Sequence, residues 1–126
     1  SGIIWMQGES DAEHSIESSN AYFNNLKSLM SLLRVAMRNE MLPVVIGKIN
    51  DSYMTPNSEP TQPFIETVHS AQKKYTGEDD CATYVIDIES YNFSDPWHYD
   101  TEGFISMGIA FANAVEQLEK ECLKDH

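Results

Sequence analysis

Short apolar runs alternate with amphipathic stretches along this chain. Ile3-Ile4-Trp5-Met6 is a compact apolar run rich in β-forming residues, the pattern of a buried strand. From about Ser19 to Glu40, Tyr22, Leu26, Leu29, Leu33 and Ala36 recur at spacings of four, three, four and three, which is one face of a helix. Leu42-Pro43 breaks that pattern, and Val44-Val45-Ile46-Gly47-Lys48-Ile49 predicts a second strand. Residues 50–61, with Asn, Asp, Ser, Thr and two prolines, read as a loop. Phe64, Val68, Ala71 and Tyr75 mark a second helix ending near Gly77, and Thr83-Tyr84-Val85-Ile86-Asp87-Ile88 a third strand. Glu89 to Tyr99 form a polar, aromatic loop. The last helix runs from about Thr101 to Lys120, with Ile105, Ile109, Ala112 and Val115 on one stripe and Phe104, Met107, Phe111, Ala114 and Leu118 on another. So broad an apolar surface predicts a well-buried helix.

Strand followed by helix, three times over, implies an α/β domain with a parallel sheet and crossover connections. Ligands of such sheets bind beyond the carboxyl ends of the strands. Three segments leave those ends: Gln7 to Asp11, Asn50 to Gln62 and Glu89 to Tyr99. The strand at residues 2–6 begins with a bare apolar run and no charge of the kind that protects sheet edges. Something is therefore expected to pair with it, either upstream polypeptide or another chain.

The length, 126 residues, suits one domain, and 41% hydrophobic residues suffice for a core. A net charge of −12 argues against nucleic acid or an anionic membrane as the main partner, because phosphates repel such a surface. No run approaches the ~20 apolar residues of a membrane span. No signal-like segment is present, although the chain begins at Ser1 rather than Met, so localisation stays unassigned. Cys81 and Cys122 match no metal-ligand or redox spacing and are expected to be two free thiols.

Two clusters carry chemistry. Gln7-Gly8-Glu9-Ser10-Asp11 follows directly on a strand: the glycine permits close backbone approach, and the glutamine amide offers two donors. Alone it reads equally as a polar strand-to-helix turn. Asp95-Pro96-Trp97-His98 places a carboxylate three residues before an imidazole, suited to an Asp–His pair in which the carboxylate holds Nδ1–H and leaves Nε2 as general base. The alternative is that Asp95 caps a turn and His98 packs on Trp97. Asp100 or Thr101 then caps the last helix. His14, His69 and His126 are expected at the surface, and no ligand spacing supports a metal site built from His14, Asp11, Asp95 and His98. No Gly-rich phosphate loop follows any strand, which weighs against a nucleotide or flavin binder.

These blocks carry a resemblance. Ile4-Trp5-Met6-Gln7-Gly8-Glu9-Ser10-Asp11-Ala12 resembles the W-x-Q-G-E-S-D-A block of the SGNH-type carbohydrate esterases, the sialate O-acetylesterase and acetylxylan esterase relatives. Asp95-Pro96-Trp97-His98-Tyr99-Asp100-Thr101-Glu102-Gly103 is similar to their last block, D-x-x-H-[FY]-[DNS]-x-x-G, and Leu42-Pro43-Val44-Val45-Ile46-Gly47 to the strand between. The resemblance implies a three-layer α/β/α flavodoxin-like fold, here its last three strand–helix units, and a cofactor-free serine hydrolase acting on acetylated carbohydrate. It implies His98 as base, Asp95 as its orienting partner, Gln7 at the oxyanion hole, and Gly8, Glu9 and Asp11 as supports of that turn. Trp97 and Tyr99 would touch substrate. The family's nucleophilic serine, in a G-Q-S-[NM] turn, has no counterpart here. The chain is thus expected to be the C-terminal part of such a domain and inactive by itself. The competing reading is a non-catalytic remnant that binds carbohydrate or protein, with Tyr91, Phe93, Trp97 and Tyr99 as stacking faces.

Overall fold

The computed structural model describes residues 1–122, so His126 lies outside the described residues. Strands β1 (Ile3–Trp5), β2 (Val44–Gly47) and β3 (Ala82–Val85) form one parallel sheet in the order β1-β2-β3. Ile3 pairs with Val44, and Val44 with Ala82. β2 is buried at every position, as expected of a central parallel strand written Val-Val-Ile-Gly. Each strand is shorter than its apolar run: β3 ends at Val85, and the chain then turns through a 3₁₀ helix, Asp87–Ser90.

Helices α1 (Glu9–His14), α2 (Ile16–Ala36) and α3 (Ile65–Glu78) cover one face of the sheet, and α4 (Thr101–Cys122) the other. Alternate strand residues divide between the layers. Val44 and Ile46 join Tyr22, Leu26, Met30, Val68 and Tyr75, whereas Val45 and Val85 join Phe111 and Leu118. The three-layer α/β/α expectation is met. Ser15 caps α2 through a 3.1 Å bond from the Ser18 amide, which starts that helix three residues before the periodicity shows it. No helix among the described residues is long and apolar enough to cross a membrane.

Three expectations need correction. Cys81 and Cys122 are joined in a disulfide, with Cα atoms 5.7 Å apart, because the start of β3 and the last turn of α4 meet at one end of the sheet. The helix α4 is not well buried: Phe111 and Leu118 pack on the sheet, but Ile105 and Ile109 are 60% and 59% exposed. A sheet only three strands wide covers one flank of such a helix. His69 is also not a surface residue, since its Nε2 lies 2.7 Å from the Ile49 carbonyl and burial lowers its pKa. β1 is an edge strand, and its Ile4 side chain is half exposed.

Candidate active site

The two sequence clusters leave the same end of the sheet. Gln7 follows β1, and Asp95 and His98 sit in the loop that follows β3 and its 3₁₀ turn. The ends of β1 and β3 are two strand spacings, about 10 Å, apart. Between them, the loop after β2 reaches across: Ser52 Oγ donates to the Pro96 carbonyl at 2.8 Å. That loop is organised by Asp51, whose buried carboxylate accepts bonds from Tyr53 N, Thr61 N, Thr61 Oγ1 and Gln62 N. Burial pushes the Asp51 pKa up, but these donors outweigh it and hold the carboxyl below its ordinary value.

Asp95 and His98 form a pair. The imidazole Nδ1 lies 2.9 Å and 2.8 Å from the two Asp95 oxygens. Asp95 Oδ1 also accepts the Trp97 and His98 amides, each at 2.8 Å. The capping turn and the Asp–His pair, posed as alternatives by the sequence, thus coexist in one carboxylate. The Trp97 amide, then the His98 ring, hold the Asp95 pKa below its usual range, so the carboxylate is ionised at neutral pH. Nδ1 therefore carries the proton in neutral His98, and Nε2 has no hydrogen-bond partner among the described residues.

The surrounding aromatics divide. Trp97 is 57% exposed beside His98. Tyr99, expected to touch substrate, is instead buried, packed between Tyr91, Phe93 and Phe104. It acts as the core of its own loop, helped by a bridge between Phe93 and Tyr99. Asp100 caps α4 by accepting the Gly103 amide at 2.8 Å.

At the other cluster, Gly8 adopts φ 139°, a conformation that side chains disfavour, and a Cβ there would lie 2.9 Å from a Val68 methyl. Gln7 Nε2 donates to Asp11 Oδ2 at 3.0 Å, which leaves its second amide hydrogen free. Gln7 lines a half-open cavity of about 170 Å³ with Trp5, Asp11, Tyr22, Asn25, Leu26 and Leu29. No hydrogen bond joins Gln7 to Asp95 or His98 among the described residues. Nor do three His, Cys, Asp or Glu side chains among them gather into a group able to hold a metal ion. Glu9 is half-exposed and stands close enough for its charge to help raise the Tyr99 pKa, after burial of that ring.

Residues 1–117 match the family model described as SASA, carbohydrate esterase, sialic acid-specific acetylesterase. The chain belongs to this family of carbohydrate esterases. Its fold is similar to the X-ray structure of a protein from Arabidopsis thaliana, with 26% identity and a TM-score of 0.75. The likeness covers 92% of this chain but only 44% of that one. A comparison with curated proteins finds no match.

Sequence reasoning missed Asp51 and the fully buried Gln72. Gln72 did leave a signal: it falls four residues after Val68 and three before Tyr75, a polar residue on the helix's apolar face.

Proposed function

We propose that this chain supplies the base, its orienting carboxylate and one oxyanion donor to a serine O-acetylesterase of the SGNH type, acting on acetylated sugars such as xylan or sialic acid. The Asp95–His98 pair carries the proposal: Nδ1 is held at 2.8 Å by an ionised carboxylate on a largely exposed imidazole whose Nε2 is unpartnered among the described residues, in a chain of an acetylesterase family. In the acylation step, Nε2 takes the proton of a serine hydroxyl as its oxygen attacks the acetyl carbonyl. The Gln7 amide hydrogen not bound to Asp11 donates to the developing oxyanion, and as the carbonyl–sugar bond breaks His98 gives the proton to the departing sugar oxygen, which leaves as a hydroxyl. Water then repeats the sequence on the acetyl-serine, releasing acetate. No cofactor is needed for these steps.

The serine is supplied by polypeptide outside these residues, seated along the open edge of β1. The half-exposed Ile4 on that edge, and the exposed Ile105 and Ile109 on α4, support such a docking. Exposed Trp97 gives a stacking face for a sugar ring.

The test is acetate release from an acetylated sugar by the full gene product, with and without His98→Ala. Loss of about 10³-fold or more in kcat is expected. Near wild-type turnover by the variant removes the base. Sugar binding without any ester cleavage by the wild type favours the non-catalytic reading.

A further inference from the structure

The backbone carbonyl of Gln7 is held by two side chains from distant parts of the sequence. Tyr22 Oη donates to it at 2.8 Å from α2, and Gln72 Nε2 at 3.0 Å from α3. Gln72 is completely buried and Tyr22 nearly so. Their polarity therefore has a cost that only satisfied partners remove. Every partner is present. Tyr84 Oη donates to Gln72 Oε1 at 3.0 Å, and the Gln7 carbonyl fixes the orientation of the amide: turned over, it would set an oxygen against that carbonyl. Tyr22 Oη in turn accepts from Gln72 Nε2 at 3.2 Å and from Trp5 Nε1 at 3.3 Å, leaving its own hydrogen for Gln7. Donation runs one way, from Tyr84 through Gln72 and Tyr22 to a single carbonyl.

That carbonyl sits where the sheet gives up control. β1 ends at Trp5, and the next residue after Gln7 is Gly8 at φ 139°, the most freely rotating link in the turn. Fixing the carbonyl fixes the plane of the Gln7–Gly8 peptide, and with it the direction in which the Gln7 side chain leaves the backbone. Asp11 then takes one amide hydrogen and settles the rest of the side chain.

We propose that Tyr22 and Gln72 are positioning residues for Gln7, acting through its main-chain carbonyl, with Tyr84 satisfying the amide oxygen of Gln72. The catalytic consequence rests on Gln7 being the oxyanion donor. Geometry matters steeply at such a donor, because its whole contribution depends on meeting the oxyanion at hydrogen-bonding distance.

The test uses the full gene product carrying Tyr22→Phe and Gln72→Met, singly and together, in wild-type and Gln7→Ala backgrounds, assayed on an acetylated sugar. With Gln7 present, the paired change is expected to lower kcat about 10- to 100-fold at unchanged KM, part of the 10²–10³ for losing a donor outright. With Gln7→Ala, the same pair should change kcat less than about twofold, because its path to the reaction is already cut. Equal losses in both backgrounds, or a loss that follows the folded fraction, overturn the proposal. Should the pair fail to fold, Tyr22→Phe alone decides, with the same background dependence and a smaller loss. If Gln7→Ala keeps wild-type turnover, or if the wild type cleaves no ester, the oxyanion reading fails by itself. Side-chain amide NMR of Gln7 then judges the positioning: an ordered, resolved Nε2–H pair that becomes averaged in the double variant supports it. Order unchanged by the variant overturns it.

Discussion

The disulfide between Cys81 and Cys122 should carry a large share of the stability of this chain. The cysteines stand 41 residues apart, and closing that loop removes roughly 13 cal/mol/K from the unfolded chain, or about 4 kcal/mol at 25 °C in the chain-entropy model. Typical domains are stable by only about 5–15 kcal/mol. The bond matters more here because α4 is held to the sheet along one flank only, by residues such as Phe111 and Leu118, while its other flank faces solvent. Replacing both cysteines with serine should therefore lower the melting temperature by roughly 15 °C, at about 4 °C per kcal/mol for a chain of this size. Urea unfolding with the wild type oxidised, the wild type reduced by dithiothreitol, and the double variant separates the entropic constraint from packing. The reduced protein and the variant should agree. Hydrogen exchange should show the last turns of α4 losing protection first. A difference under about 1 kcal/mol between oxidised and reduced protein, or two reactive thiols per chain before reduction, would refute the reasoning.

Four further outcomes are expected. Gly8→Ala forces a Cβ into the Val68 methyl at 2.9 Å and a side chain into φ 139°; strain and crowding together should cost about 2–4 kcal/mol in urea unfolding. Arg34 meets Asp79 through two bonds of 2.6 and 3.1 Å and also reaches the Leu42 carbonyl, so Arg34→Met strands a largely buried carboxylate and should cost about 2–4 kcal/mol. Burial opposes ionisation of Asp79, but Arg34 outweighs it and the folded pKa lies below 3.8; its stabilisation is present above that value and is lost as pH falls through the folded one, so Asp79→Asn should flatten the acid limb. Burial, aided by Lys48 and opposed by the Ile49 carbonyl, sets the His69 pKa below 6.5; the unfolded chain then binds more protons just under that pH, so stability should fall there on acidification and His69→Gln should remove that slope.

The fold was legible because its signals are local. A β-branched run such as Val44-Val45-Ile46-Gly47 behind Pro43 reads as a strand buried on both faces, and Tyr22, Leu26 and Leu29 recur at the spacing of a helix face. What escaped depends on residues far apart in the chain. The disulfide joins two cysteines whose spacing says nothing, because their meeting is set by the length of α4 against the sheet. The exposure of Ile105 and Ile109 escaped for a related reason: apolar periodicity reports that a face needs cover, not whether these residues supply it.

The site divides in the same manner. Asp95 and His98 are three residues apart in one turn, so a single carboxylate can accept the backbone amides that close the turn and still face Nδ1. Their pairing is a property of the tetrapeptide and could be read there. The support beneath Gln7 is assembled from residues 22, 72 and 84, one from each of three elements, and no short window contains it. Only the glutamine on the apolar face of α3 betrayed it. A buried amide that neither caps a helix nor joins a strand must find its partners in the fold, and Gln72 finds them at the Gln7 carbonyl, the Tyr22 hydroxyl and the Tyr84 hydroxyl. Polar residues set on predicted apolar faces are therefore better guides to what holds this turn than the motif residues of the turn itself. The motif names the groups that are aimed, whereas the misfit residue marks what aims them.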